Sequence, residues 1–181
     1  MQIRRLVTTQ DANGKAVFAS IGFAPRAHWY RYTPGAGVAL VWAAPADAVV
    51  PNGGRDITQS LSSLLPGVGA TSLVLVQFPP EAPGTDPDFD PAAAEEEFKR
   101  LNPGIAELIE PDSAGMHATD TIDYVIVLEG EIWATLDDGR EELLRPHDVI
   151  IQNGTRHTWR NKSDGPARLA CFSVGVRRAI T

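Results

Sequence analysis

The sequence predicts an all-β barrel or sandwich that carries one helix. From residue 105 onward, short runs of apolar and β-branched residues follow one another closely along the chain. Turn residues separate these runs, and the clearest of them are Gly130, Gly139 and Gly154. Short strands at such regular spacing are typical of an all-β domain. The composition, 43% hydrophobic and 22% charged, is ordinary for a globular chain.

The first part of the chain adds outer strands to this prediction. The pair Asn13-Gly14 is a strong hairpin turn signal, so residues 2–22 are expected to form an N-terminal hairpin. Residues 37–43 are a continuous apolar run, which favours a strand that is buried on both faces. Residues 70–78 favour another strand, which the prolines at 79 and 80 end.

Two segments in this part carry many turn residues. Residues 25–37 are expected to be irregular. Residues 45–69 contain three prolines and many Gly, Ser and Asp residues, and we expect a long loop with one short helical turn near 57–65. A loop this long in a compact domain is often a lid or a binding segment.

One helix is expected within residues 81–104. Asp90 suits the N-cap and Pro91 suits the first helical position. Residues 102–104, Asn-Pro-Gly, stop the helix. The acidic triplet 95–97 has the composition of a metal site, but adjacent helical residues point in different directions, so a solvated helix face is the better interpretation.

The remaining runs are interpreted as the strands of the barrel. They cover residues 105–110, 121–128, 131–137, 140–146, 148–152, 156–161 and 167–175.

Charge and cysteine content argue against several classes of function. The formal net charge is −7, whereas surfaces that bind nucleic acid or anionic membranes need clustered Lys and Arg. No stretch approaches a transmembrane span. Cys171 is the single cysteine and lies in an apolar run, so we interpret it as a small core residue. A cytoplasmic protein is the default expectation.

Two histidines and a carboxylate form the constellation that carries chemistry. Because alternate strand residues face the same way, His117, Thr119, Thr121 and Asp123 are expected to point together. His157 lies in a later strand that a barrel can bring alongside them. Two His and one carboxylate with open positions form the pattern of non-haem Fe(II) sites, and Zn, Mn and Ni are the alternatives.

The residues that follow His117 resemble the first motif of the cupin superfamily, G-x5-H-x-H-x3–4-E-x6-G. His117 matches its first histidine, and Gly130 matches its closing glycine. Thr119 stands where the second histidine is expected, and Asp123 stands where glutamate is expected. Pro111 replaces the opening glycine. One of the usual four ligands is therefore missing.

The residues around His157 resemble the second cupin motif, G-x5-P-x-G-x2-H-x3-N. Gly154, His157 and Asn161 match it at the right spacing, whereas Gln152 replaces the proline. His147-Asp148 replaces the usual Gly-Asp, one residue closer than expected. The resemblance covers about residues 105–175.

The resemblance implies an all-β cupin barrel, a double-stranded β-helix or jelly roll, with extra N-terminal strands and one or two short helices. Residues 1–104 would pack on a motif core at 105–181, as one structural domain overall. His117, Asp123 and His157 would hold a divalent metal ion, with Fe(II) favoured. The substrate pocket would include Thr119, Gln152 and Trp159.

The resemblance further implies a metal-dependent enzyme, a dioxygenase-like oxidoreductase on a small organic substrate. A non-redox lyase, isomerase or decarboxylase is one alternative. A non-catalytic binding module is the other, and in it His117 and His157 would be hydrogen-bonded pocket residues of a vestigial site. No catalytic residue is assigned. A homodimer is expected, because an N-terminal hairpin with open strand edges is stabilised by a partner.

Overall fold

The computed structural model describes residues 1–81 and 89–179, and in them an all-β barrel is decorated by a single α-helix. The helix α1 is Pro91–Leu101. The strands are β1 (Arg4–Gln10), β2 (Ala16–Phe23), β3 (Arg26–Trp29), β4 (Gly37–Ala44), β5 (Thr71–Phe78), β6 (Thr121–Glu129), β7 (Ile132–Leu136), β8 (Glu141–Leu144), β9 (Val149–Asn153), β10 (His157–Arg160) and β11 (Ala167–Gly175).

Two antiparallel sheets form the barrel. The larger has the order β3-β4-β5-β11-β6-β9, and the smaller has the order β10-β7-β8. One core lies between them, where Val125 and Val127 of β6 pack with Ile132 and Ala134 of β7 and with Leu169 of β11. These residues alternate along their strands, as expected when one face of each strand is buried.

The strand β4 is the best-buried element of the larger sheet. Its first five residues are all buried, which confirms the prediction of a strand covered on both faces. Val38 and Leu40 pack with Leu64, Val74 and Leu101 on one face. Ala39 and Val41 pack with Met1 on the other. The N-terminal segment therefore covers the outer face of the barrel at this strand.

The N-terminal hairpin is confirmed as β1 and β2, which pair only with each other in the described chain. Gly14 closes its turn with a φ of 76°, a conformation that glycine adopts without steric cost. Arg5 of β1 attaches the hairpin to the barrel by donating to the Val41 carbonyl at 2.7 Å. Phe18, Ile21 and Phe23 of β2 are exposed.

The helix begins as predicted. The Asp90 carboxylate accepts a hydrogen bond from the Ala93 amide at 3.0 Å, and Pro91 occupies the first turn. Ala94 and Leu101 are buried against the barrel. The prediction of a solvated acidic triplet is wrong for Glu97, which is buried and accepts from the amides of Arg31 and Tyr32 at 2.8 Å each. These charge-assisted bonds offset its desolvation.

Two further predictions are corrected by the structure. Residues 26–29 form the edge strand β3 inside the segment that was expected to be irregular. Residues 105–110 form a short 3₁₀ turn at Ala106–Leu108 instead of a strand. In both cases the run is too short for its periodicity to distinguish the alternatives.

The long segment 45–69 is a loop with one 3₁₀ turn at Thr58–Ser60, as predicted. The predicted helical span 81–104 includes residues 82–88, which lie outside the described residues. None of the helices in the described part of the chain is long and apolar enough to cross a membrane.

Candidate metal centre and barrel cavity

The structure brings His117 and His157 together. Their backbones form an isolated antiparallel bridge, in which the His117 N–H donates to the His157 carbonyl at 3.0 Å and the reverse bond measures 2.9 Å. The centroids of the two imidazole rings lie 4.5 Å apart. The strand β10 pairs with β7 along one edge, and the segment before β6 meets it at His157 through this separate bridge.

The loop before His117 is tightly wound. Asp112 and Ala114 have φ values of 57° and 53°, and Gly115 has a φ of 85°. The Thr158 hydroxyl of β10 donates to the Ala114 carbonyl at 2.9 Å and ties this loop to the strand. This contact sets the position from which the His117 side chain enters the barrel.

Both histidines are held in the same way. Nδ1 of His117 lies 3.0 Å from the Gly115 carbonyl, and Nδ1 of His157 lies 2.9 Å from the Thr155 carbonyl. A carbonyl can only accept, so Nδ1 carries the proton and the neutral ring has its lone pair on Nε2. Histidine ligands of metals are oriented by this kind of bond.

Burial favours the neutral form of His157. Its side chain is buried, and desolvation lowers its pKa below the ordinary histidine value. The Thr155 carbonyl and Asp123 act against this shift, whereas His117 adds to it. A neutral imidazole is the form that binds a metal ion.

Asp123 takes part in a buried network of hydroxyls. Oγ1 of Thr121 lies 3.0 Å from Asp123 Oδ2, and Oγ1 of Thr119 lies 3.3 Å from the same oxygen. The two hydroxyls are 2.7 Å apart. These contacts confirm that the three side chains share one face. They also occupy Oδ2, so that only Oδ1 is left for another partner.

Two buried polar atoms near this network lack a partner. Asp123 Oδ1 and Gln152 Nε2 have no hydrogen bond within the described residues. Asp123 and Gln152 lie directly opposite each other on β6 and β9. Gln152 uses its other polar atom, Oε1, to accept from the Thr155 hydroxyl at 2.6 Å. An orphaned buried carboxylate oxygen is costly unless an ion, a water or a ligand meets it.

The three predicted ligands are not gathered into one cluster. Within residues 1–81 and 89–179, no group of three or more His, Cys, Asp or Glu side chains lies close enough to hold an ion. The structure therefore places His117 and His157 side by side and Asp123 in the adjoining hydroxyl network. The ligand set of His117, Asp123 and His157 stays a prediction.

A cavity of about 390 Å³ opens beside the histidine pair. It lies between β4, β5 and β11 on one side and α1, the segment 105–115 and β10 on the other. Most of its walls are apolar, with Val74, Val76, Phe98 and Ile105 among them. Its lining also includes a few polar side chains, namely His117, Thr158, Ser173, Gln77, Asn102, Thr33 and Tyr30. Apolar walls with a few polar groups are typical of sites for small organic ligands.

The predicted pocket residues lie at different places relative to this cavity. Trp159 lines it, and its ring centroid is 5.6 Å from that of His157. Thr119 and Gln152 are buried but do not line it. Cys171 also lines the cavity, and burial, with a contribution from the Asp123 charge, raises its pKa to about 12. The thiol is therefore protonated at neutral pH, and Cys171 packs against the core as a partly buried residue.

Arg178 lies at the edge of the candidate centre and holds two segments together there. The sequence does not predict this role. Its guanidinium donates to the Thr119 carbonyl at 2.7 Å, to the Gly154 carbonyl at 3.2 Å and to Asp120 at 2.6 Å. It thus joins the segment before β6 to the turn before β10. No local pattern around Arg178 identifies this role, because its partners lie 24 to 59 positions away in the sequence.

Arg156 has its own carboxylate partners and does not act as a free cation. Its guanidinium donates to Glu110 at 2.7 and 2.6 Å and to Asp137 at 2.5 Å. Arg160 pairs with Glu81. The guanidinium groups of both arginines are therefore engaged in ion pairs.

Comparison with known proteins identifies the segment that carries these residues. The model of the family described as "Cupin domain" matches residues 106–174. The cupin-domain-containing oxidoreductase srdB of Neurospora crassa is 44% identical over 68 residues, which are 37% of this chain and 35% of that protein.

Two other relatives match shorter stretches. Phomopsin biosynthesis cluster protein C' of Diaporthe leptostromiformis is 52% identical over 48 residues, 26% of this chain and 25% of that protein. The cupin-domain-containing oxidoreductase fogC of Aspergillus ruber is 39% identical over 46 residues, 25% of this chain and 23% of that protein. The matches thus span about a quarter to a third of the length of these curated relatives.

Among solved structures, the cupin domain of Schizosaccharomyces pombe Cnp3 gives a TM-score of 0.46 at 11% identity, covering 97% of this chain and 89% of that chain. The match at 106–174 includes His117, Asp123 and His157. It also covers nearly all of the barrel strands β6 to β11. Residues 106–174 of this chain therefore match the cupin domain.

Proposed function

We propose that this protein is a metal-dependent cupin oxidoreductase that acts on a small, largely apolar organic molecule held in the barrel cavity. The observation that carries the proposal is the position of the histidine pair. His117 lines the cavity, and its ring lies 4.5 Å from that of His157. Two relatives named as cupin-domain-containing oxidoreductases, from Neurospora crassa and Aspergillus ruber, support the reaction class.

The donor atoms present fit a divalent ion. His117 and His157 each use Nδ1 for a carbonyl, which leaves two Nε2 lone pairs. Asp123 Oδ1 is buried and without a partner among the described residues. Imidazole nitrogen and carboxylate oxygen suit Fe(II), Zn, Mn and Ni. His117, His157 and Asp123 would hold the ion, and Asp123 has to turn toward the histidines to do so.

A bound Fe(II) ion would supply dioxygenase-like redox chemistry at this place. The protein itself supplies the enclosure. The apolar walls of Val74, Val76 and Phe98 exclude water from the ligand, and a dry site strengthens every polar contact within it. The hydroxyls of Thr158 and Ser173 line the cavity and can orient a polar group of the ligand, with Thr158 as an acceptor because its proton is bonded to the Ala114 carbonyl. Trp159 presents its ring beside His157.

Metal uptake tests this proposal without knowledge of the substrate. Protein purified without added metal is analysed for transition metals and then titrated with Fe(II) under anaerobic conditions. We expect stoichiometric uptake by the parent chain and its loss in His117→Ala and in His157→Ala. His147→Asn is the matched control, because His147 is exposed and lies in a turn with a φ of 78°. It belongs neither to the histidine pair nor to the hydroxyl network around Asp123.

Several outcomes would overturn the proposal or narrow it. Only trace metal, together with no uptake of Fe(II), Mn(II) or Zn(II), contradicts it. Retention of metal by His157→Ala shows that the ligand set is wrong. Retention by Asp123→Ala shows a two-histidine site that water or another side chain completes.

A second candidate function is a metal-free module that binds a small molecule. The observation in its favour is that the described residues, 1–81 and 89–179, contain no ready three-ligand group. In that case the Nδ1 bonds of His117 and His157 would fix two pocket residues and nothing more. The same uptake experiment separates this module from the enzyme. A non-redox lyase, isomerase or decarboxylase would take up metal but would not require Fe(II).

A further inference from the structure

A second, smaller pocket lies beside the barrel cavity. Its volume is about 150 Å³. It is located between the edge strand β3, the strand β4 and the last turn of α1. The lining consists of Arg26, His28, Val38, Leu40, Leu64, Arg100 and Leu101. Four of these lining residues are apolar, and every polar side chain that lines the pocket is basic.

The strand register explains why two of these basic groups lie together. Arg26 is opposite Leu40, and His28 is opposite Val38, on neighbouring strands. Alternate residues of a strand face the same side, so Arg26 and His28 point to the face on which Val38 and Leu40 pack. Arg100 reaches the same pocket from α1.

The donors of this pocket are only partly used. Arg26 donates through Nη1 to the carbonyls of Thr58 and Leu61, at 3.1 and 2.8 Å. These bonds fix its guanidinium, and Nε and Nη2 have no partner among the residues that the structure describes. The imidazole of His28 likewise makes no hydrogen bond to any described residue. A fixed guanidinium with free donors matches the geometry of carboxylate and phosphate groups.

The positive charge here is only weakly balanced. The nearest ion pair joins Arg100 to Glu97 at 3.6 Å, and Glu97 already accepts from two backbone amides. No salt bridge within residues 1–81 and 89–179 involves Arg26. The pKa of His28 is lowered by partial burial and then by the charges of Arg100, Arg26 and the amino terminus. In a chain of net charge −7, this local excess of positive charge marks a place where an anion is favoured.

We propose that Arg26, His28 and Arg100 form a binding pocket for a small oxyanion, a phosphate or carboxylate group of a ligand. The volume suits such a group, since it corresponds to about five water molecules. The pocket shares Val38 and Leu64 with the barrel cavity but contains neither His117 nor His157. It is therefore independent of the metal centre, and a protein that takes up no metal can still bind an anion here.

His28 reports on the pocket directly. The imidazole signals of His28 are followed by NMR while the full chain is titrated with inorganic phosphate, or separately with acetate, at constant ionic strength. We expect saturable shifts at millimolar anion and a rise of the His28 pKa, because a bound anion offsets the two arginine charges. Saturation by phosphate alone assigns a phosphoryl group, and saturation by acetate assigns a carboxylate.

Variants make the test specific. Arg26→Met and Arg100→Met should each weaken binding by more than about tenfold, because each removes charge-assisted bonds. Arg140→Met is the control, since Arg140 pairs with Asp138 in a distant turn. Arg100 is exposed, so its variant keeps the test valid where Arg26→Met fails to fold.

Two results would overturn the proposal. The first is a response to both anions that never saturates. The second is an equal response in the parent chain and in the Arg100→Met variant. Either would show that the basic residues only protect the edge strand β3 from pairing with other chains, a role that needs no ligand.

Discussion

His117 and His157 exchange both backbone hydrogen bonds of a single antiparallel bridge, at 3.0 and 2.9 Å. The bridge fixes the distance between the two side chains without using their rings. We therefore expect His117→Ala to keep the bridge and the fold. Amide hydrogen exchange checks this, because the amide of residue 157 should stay protected in the variant. Fast exchange at residue 157 would show that the ring itself holds the strands together.

The closing glycine of the first motif has a steric role that can be measured. Gly130 has a φ of 75°, and a Cβ there would lie 2.2 Å from the Pro166 carbonyl oxygen. We expect Gly130→Ala to cost about 3 kcal/mol or more of unfolding free energy, because backbone strain and overpacking add. Urea denaturation measures this cost.

Gly139 offers the matched control for that substitution. Its φ is 73°, and a Cβ there would meet nothing within 4 Å. Gly139→Ala should therefore cost only the strain, about 1 kcal/mol. Equal losses for the two variants would contradict a role for the contact with Pro166.

Cys171 should resist alkylation. Burial raises its pKa to about 12, so its thiolate fraction at mildly alkaline pH is about 10³-fold below that of an unfolded cysteine. Iodoacetamide labelling, followed by mass spectrometry, should be slow in the native protein and fast in urea. Rapid native labelling would show that the thiol is activated and would call for a catalytic role.

Acid should destabilise the metal-free protein through His157. The pKa of His157 in the folded protein is below its unfolded value of about 6.5. At pH values between these two pKa values, the unfolded chain therefore binds more protons than the folded protein. The stability contribution is complete above about pH 6.5 and is lost as the pH falls toward the folded pKa, with a slope of up to about 1.4 kcal/mol per pH unit. Urea denaturation of chelator-treated protein at a series of pH values measures this. The unfolding free energy should depend less steeply on pH for His157→Gln than for the parent chain.

We also propose the homodimer that the sequence predicts. The hairpin β1–β2 is a two-stranded sheet, which is marginally stable alone. Phe18 and Phe23 on it are 61% and 59% exposed. A second copy would cover these side chains. Light scattering at micromolar concentration should give a dimer for the parent chain and a monomer for Phe18→Ser with Phe23→Ser, whereas a monomeric parent would contradict the proposal.

Local patterns in the sequence were sufficient for most elements. Asn13-Gly14 predicts the first hairpin, and Asp90-Pro91 predicts the start of α1, because turn and cap residues act through their own backbone geometry. The continuous apolar run at 37–43 predicts a strand with two buried faces. The edge strand β3 and the turn at 106–108 differ from the prediction, because segments of three or four residues carry too little periodicity.

The candidate site could be predicted only in part. Motif spacing led to His117 and His157, and the alternation of Thr119, Thr121 and Asp123 predicted their common face. Whether Asp123 reaches the histidines depends on how the chain packs between them, and no local pattern encodes that distance. Burial of Glu97 was likewise invisible, because its partners are backbone amides of residues 31 and 32, far away in the sequence.

The sequence by itself determined the class of fold, since strand periodicity and turn chemistry are local properties, and motif spacing predicted which side chains are the candidate donor groups. The tertiary structure decided three other things. They are the 4.5 Å approach of the two imidazoles, the apolar cavity beside them, and the basic pocket between β3 and α1. All three depend on contacts between residues that are distant along the chain, and these contacts exist only once the sheets have packed.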